Sequence, residues 1–190
     1  MSLNSMNRYI HPLADRYASA QMQEIFSPMR KFGTWRRLWL ALAESQAELG
    51  LEIPEEALSQ MRAALDKIDL ESAAEYERRF RHDVMAHVHL FGDAAPAARA
   101  VIHLGATSAF IGDNTDLILH REALTLTLKR VVRCISALAI FAETYASLPT
   151  LAYTHFQPAQ PTTVGKRAAL WAQDLLLDLE ELEYRISSLR

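Results

Sequence analysis

The stretch LTLTLKRVVRCISALAIFAETY, residues 124–145, decides how the rest of the chain is read. Leu124, Leu128, Val131, Ile135, Leu138, Ala142 and Tyr145 recur at steps of four and three, which lines them along one face of a long α-helix. Leu148-Pro149 ends that pattern, since proline removes a backbone donor and clashes with the preceding turn. Further on, Ala168, Trp171, Leu175, Leu179, Leu182, Ile186 and Leu189 repeat the stripe. Two helices cannot cover apolar faces of this length by themselves. They read as the first long helices of a central bundle, with more chain or other subunits over the remaining face. The second stripe is still running at Arg190 with no Gly or Pro stop, which predicts a chain cut within an element.

Working outward, the preceding hundred residues read as shorter helices with clear punctuation. Thr34 is placed to cap a helix carrying Trp35, Leu38, Trp39 and Leu42, closed by Gly50. Pro54 with Glu55 and Glu56 resembles a first helical turn, and Asp69 a cap for LESAAEYERRF. The segment RHDVMAHVHLFGD, residues 81–93, reads as a helix stopped by Gly92. No segment has a convincing strand period. The expected fold is all-α, with a helical N-terminal domain over 8–111 and the start of a helical-bundle domain over 112–190. Residues 1–7 read as a remnant outside the fold.

Bulk properties narrow the function classes. The 190 residues are 50% hydrophobic and 23% charged, with a net charge of −3, which offers no basic footprint for nucleic acid. No uncharged apolar run is long enough to span a membrane, and the N-terminus lacks an apolar signal core. The single cysteine, Cys134, reads as a small buried hydrophobe, and its having no partner fits a reducing, cytoplasmic location.

Three places carry polar groups with chemical potential. His82, His87 and His89 are spaced by five and two, not by the four that sets two ligands on one helical face, so no metal site is expected. His87 and His89 read as structural. His82, between Arg81 and Asp83, suits either anion recognition with proton handling or a solvated charged turn, and both readings stand open. In HLGATSAFIGDN, Gly105 frees the backbone while Thr107 and Ser108 precede a helix. They are placed to hold an anion at a helix N-terminus, though the plainer reading is a cap by Ser108 or Asn114. His155 is the sharpest signal. Pro149 and Pro158 argue against a helix through it, Pro161 suits a helix start, and Thr154 and Gln157 lie beside it. An imidazole fixed on a loop between two long helices suits general acid–base chemistry, although a lone loop histidine is more often structural.

Together these strings form a resemblance. THFQPAQPTT (154–163) is similar to the histidine motif of the fumarase/aspartase superfamily of lyases, and GATS (105–108) followed by DN (113–114) to its first Thr-Ser motif. Within it, RHDVMAHVH, IHLGATS, GDNTDL, ASLPTLAYTHFQPAQ and TTVGKR resemble the adenylosuccinate lyase family, and PLADRYAS (12–19) its opening nucleotide-site motif. The resemblance runs from about residue 8 to the end.

It implies a homotetramer with a shared helical bundle, no cofactor, and β-elimination of fumarate from adenylosuccinate, giving AMP, or from SAICAR, giving AICAR. It assigns the general acid to His155, with His82 in possible support. Arg16, Tyr17, Arg81, His82, Asp83, Thr107, Ser108 and Gln157 fall at substrate-binding positions. The family's base is a serine on a Gly-Ser-Ser-x-Met-like loop late in a longer chain, and no such string occurs here. The polypeptide alone is therefore expected to be inactive. Two other readings remain: another lyase of the superfamily, such as an argininosuccinate lyase or a cycloisomerase, and a non-catalytic helical oligomerisation module.

Overall fold

The computed structural model describes residues 11–190, so the remnant expected at 1–7 lies outside the described residues. The chain divides into two compact units, one reaching to Leu119 and the other spanning His120–Arg190.

In the first unit a π-helical turn, Leu13–Tyr17, precedes helices α1 (Ala20–Ile25), α2 (Pro28–Glu48), α3 (Glu55–Ala64), α4 (Leu70–Phe80) and α5 (Asp83–Ala94). A short 3-10 turn at Pro96–Ala98 follows, and α6 (Ser108–Thr144) begins in this unit. The start of α2 corrects the expectation for Thr34. Ser27 is the cap, accepting from Arg30 N, and Pro28 occupies the first helical position, where its missing N–H costs nothing. Thr34 lies buried about two turns further in, its hydroxyl donating to the Arg30 carbonyl at 2.9 Å. Asp69 caps α4 as expected, accepting from Glu71 N and Ser72 N. Gly92 does not stop α5; it is buried within the helix, where a Cβ would meet the Arg99 side chain.

The core of this unit is built from Trp35, Trp39 and Leu40 of α2, Ala57, Leu58, Met61 and Ala64 of α3, Val84 and Phe91 of α5, and Ile111 of α6. One charged side chain is sealed within it. Arg36 is 1% exposed, its guanidinium over the Phe91 ring, and Nη1 donates to the carbonyls of Ala64 and Lys67. Those acceptors are the C-terminal end of α3 and the turn beyond, where carbonyls lack helical partners and a cation is favoured. Burial pulls the guanidinium down to about 10, against an opposing pull from Asp66. His87 is equally structural. It stacks on Phe32 at 3.7 Å between ring centroids and meets Trp35 edge-on. His89 stacks on Phe80 at 4.3 Å.

In the second unit the stripe that opened the reading is real. Leu124, Leu128, Val131, Ile135, Leu138 and Ala142 are half-buried, as are Leu175, Leu179, Leu182 and Ile186 of the last helix, α7 (Val164–Ser188). The helices run antiparallel and are tied at both ends. Gly165 of α7 is buried against the backbone of Ala142 and Ala146, and Arg121 Nη2 donates to the Leu189 carbonyl at 2.6 Å. Trp171 departs from the expectation: it is exposed, and Ala172 takes the inward position. Cys134 is also exposed rather than buried, because it lies off the stripe defined by Val131, Ile135 and Leu138.

The connection between these helices is not an irregular loop. Pro149–Thr154 (β1) and Gln157–Thr163 (β2) pair antiparallel, with Thr154 opposite Gln157 and Pro149 opposite Thr163. Pro161 lies within β2, and Thr163 caps α7 by accepting from Lys166 N, so the helix starts three residues later than proline suggested. The prolines that hide the ribbon from a sequence reading are tolerated because a two-stranded ribbon has only edge strands. Arg167 of α7 steadies it, donating from Nη2 to the Leu151 carbonyl at 2.8 Å.

Candidate active site

Chain reversals position each motif. Arg81 ends α4 with a left-handed backbone, φ 55°, its N–H donated to the Glu77 carbonyl. That conformation costs a non-glycine residue about 1–2 kcal/mol, and it turns the chain sharply into α5. His82 then caps α5, its Nδ1 accepting from Met85 N at 3.3 Å. Asp83 sits in the first turn, its Oδ1 accepting from Val84 N at 2.8 Å, and lies 3.6 Å from His82 Nδ1. A carboxylate there complements the positive end of the helix.

A second reversal delivers the GATS segment. His103 and Gly105 are both left-handed, at φ 67° and 68°. Thr107 Oγ1 accepts from Ala109 N, so Thr107 is the cap of α6. Ser108 therefore opens the helix instead of capping it, and Asn114 lies inside α6, donating from its side chain to the Phe110 carbonyl. The long helix thus starts well before the change of texture after Asp116.

The two reversals meet. Ser108 Oγ lies 3.4 Å from His82 Nε2. With Nδ1 taken by a backbone N–H, neutral His82 carries its proton on Nε2 and faces the serine hydroxyl as donor. His103 belongs to the same group. Burial first, and then the charge of His82, hold its imidazole below the ordinary histidine range. Two side chains of α2, seven residues apart and so on one face, secure this loop. Trp39 Nε1 donates to His103 Nδ1 at 2.9 Å, and Gln46 Nε2 donates to the Leu104 carbonyl at 2.8 Å. His103 is not among the site residues expected from sequence. Its one signal was position, two residues before Gly105 of the GATS string.

Arg16 and Tyr17 stand on the π-helical turn, both exposed, and no hydrogen bond among the described residues joins them to the His82–Ser108 pair. His155 belongs to the second unit. It and Phe156 form the two-residue turn of the ribbon, with φ of 48° and 61°. Positive φ at both central residues is the signature of a type I′ hairpin, normally supplied by Asn-Gly or Gly-Gly. Both side chains are exposed, and Gln157 opens β2 beside them. Among the described residues, the non-glycine residues with positive φ are Arg81, His103, His155 and Phe156, and all lie in the three chemical motifs. Strain of this kind concentrates at functional sites.

Two capped helix starts joined through a histidine–hydroxyl pair form the polar centre of the first unit, in a chain whose described residues are mostly helical. A lyase family model matches residues 10–189, and the chain belongs to that family. Among curated relatives, the adenylosuccinate lyase of Schistosoma mansoni is 50% identical over 181 residues, covering 95% of this chain and 38% of the relative. That of Saccharomyces cerevisiae is 51% identical over 180 residues, covering 93% and 37%. The chain thus spans under two fifths of the length of these relatives. Solved structures agree on the fold. A fumarate lyase from Mesorhizobium superposes with a TM-score of 0.81 at 29% identity, over 89% of this chain and 41% of that one. A β-carboxy-cis,cis-muconate cycloisomerase from Acinetobacter calcoaceticus superposes with a TM-score of 0.79 at 27% identity, over 92% and 42%.

Proposed function

We propose that this chain supplies the acid side of a β-elimination that releases fumarate from adenylosuccinate, giving AMP, and from SAICAR, giving AICAR. A base takes the proton from the carbon next to a carboxylate, and the electron pair closes the carbon–carbon double bond as the C–N bond breaks. The departing nitrogen then takes a proton from the imidazolium of His155. A type I′ turn gives that ring a fixed backbone, so little reorganisation accompanies the transfer. Arg81, His82, Asp83, Thr107 and Ser108 bind the anionic groups of the substrate, with Arg16 and Tyr17 at the nucleotide and Gln157 beside the acid. Arginine suits carboxylate and phosphate through its two-pronged donor geometry.

The observation that carries this reading is the convergence of the RHD and GATS segments on one histidine–hydroxyl pair 3.4 Å apart. The substrate choice is supported by the identity of 50% to an adenylosuccinate lyase against 27% to a cycloisomerase. We place the protein in the cytoplasm, as a homotetramer whose partner subunits cover the exposed apolar side chains Ile140, Leu177 and Tyr184.

The test is a chimera in which this chain replaces the matching segment of the yeast relative. Fumarate release from adenylosuccinate is expected. His155→Ala in that chimera lowers kcat by about 10²-fold or more, the scale of a lost general acid. An undiminished rate in His155→Ala would overturn the assignment, and a chimera that folds but cleaves only argininosuccinate would overturn the substrate.

A further inference from the structure

We propose that Trp39 is a positioning residue for the site: its indole N–H, donated to Nδ1 of His103, fixes that imidazole with its proton on Nε2, as a neutral hydrogen-bond donor to an anionic oxygen of the ligand. The assignment of a ligand rests on the reading under Proposed function; the tautomer rests on geometry alone.

The indole nitrogen is a donor and never an acceptor. A donor 2.9 Å from Nδ1 therefore requires a lone pair there, and a neutral imidazole then carries its hydrogen on Nε2. The two rings meet edge to face, 5.9 Å apart and at 88°. Trp39 is 1% exposed and packed against Trp35 and Phe91, so the donor is fixed by the core. The backbone of His103 is held as well, left-handed and followed by Leu104, whose carbonyl is clamped by Gln46. Among the described residues nothing accepts the hydrogen on Nε2, which leaves it for a ligand.

Charging this ring would require a proton on Nδ1, facing the indole N–H. That arrangement replaces a hydrogen bond by a clash of two donors. Burial opposes charging too, as does His82, the titratable group facing His103 from the start of α5. The two histidines thus divide the work. His82 meets the Ser108 hydroxyl through Nε2, while His103 offers a fixed hydrogen-bond donor.

The experiment is long-range proton–nitrogen correlation on the 15N-labelled chain near pH 7.5. The expected result is His103 as a single Nε2–H tautomer, with a through-hydrogen-bond coupling between its Nδ1 and the Trp39 indole nitrogen. An Nδ1–H tautomer, or a fast-exchanging mixture, would overturn the proposal. Trp39→Phe is expected to release the ring into a mixture of tautomers, and an unchanged single tautomer in a folded variant would also overturn it. Should that variant fail to fold, the unmodified chain still decides. In the yeast chimera, Trp39→Phe raises KM about tenfold, the size of one weakened charge-assisted hydrogen bond, with kcat little changed. A chimera without lyase activity would sink the functional reading and leave the tautomer result standing.

Discussion

Nε2 of His82 lies 3.4 Å from Oγ of Ser108, joining the first turn of α5 to the first turn of α6. His82 has two separable roles there, since its Nδ1 also caps α5. Asparagine is a good cap but has no imidazole. His82→Asn should keep the melting temperature of the chain while lowering fumarate release in the chimera by about 10²-fold. His82→Ala should also lose about 1 kcal/mol of stability through the missing cap. Equal activity in His82→Asn and the unmodified chimera would show that the ring does no more than cap.

His87 makes stability depend on pH. Burial first, then the Arg36 guanidinium, push its imidazole down to about 4, with Lys31 adding to that and Asp83 opposing. The folded state therefore holds the ring neutral where the unfolded chain would protonate it. Its contribution is complete above about 6.5, the ordinary histidine value, and is lost as pH falls towards about 4. The loss is on the order of 2 kcal/mol. Urea titrations at pH 7 and pH 4.5 would measure it. His87→Phe, which keeps the stack on Phe32, should flatten that part of the profile.

Gly165 is a point of close backbone approach between α7 and the end of α6. A Cβ there would lie 2.7 Å from Ala146 Cα and 2.8 Å from Ala146 N, and would press on the Ala142 carbonyl. All are backbone atoms that cannot swing aside. Gly165→Ala should destabilise the second unit by about 1–3 kcal/mol despite its better helix propensity. Hydrogen exchange should show faster opening of α7, with the core around Trp35 unaffected.

Arg36 is a buried clasp rather than a site. Arg36→Met keeps much of the stem over Phe91 but leaves the Ala64 and Lys67 carbonyls without their donor. A loss of about 2–3 kcal/mol in urea unfolding is expected, and Arg36→Lys should recover only part of it. Lysine is a point charge without the fork.

The long helices were legible because their stripes are periodic, and Asp69 was legible because a cap is read from its neighbours alone. The ribbon was not. Pro149, Pro158 and Pro161 speak against strands, and no alternation of apolar and polar residues announces them. Thr34 misled because a good capping residue also sits comfortably inside a helix when its hydroxyl bonds to the preceding turn. The motif histidines were visible as residues, whereas the environment of His103 was not. Its indole partner lies 64 positions away, and only the packing of α2 against the GATS loop brings the two together.

The ribbon bearing His155 contains a bulge: between Leu151 and Tyr153 the second strand has one residue more than the first. Such an insertion bends a ribbon and adds twist. Deleting Ala159 or Gln160 would remove the surplus and leave Ala152 opposite a single residue, so the flanking pairs would persist while the local bend and extra twist were lost. The ring would then be aimed differently at the end of its stalk, with its own chemistry untouched. Natural variation in this segment should accordingly tolerate exchanges of side chain far better than changes of length.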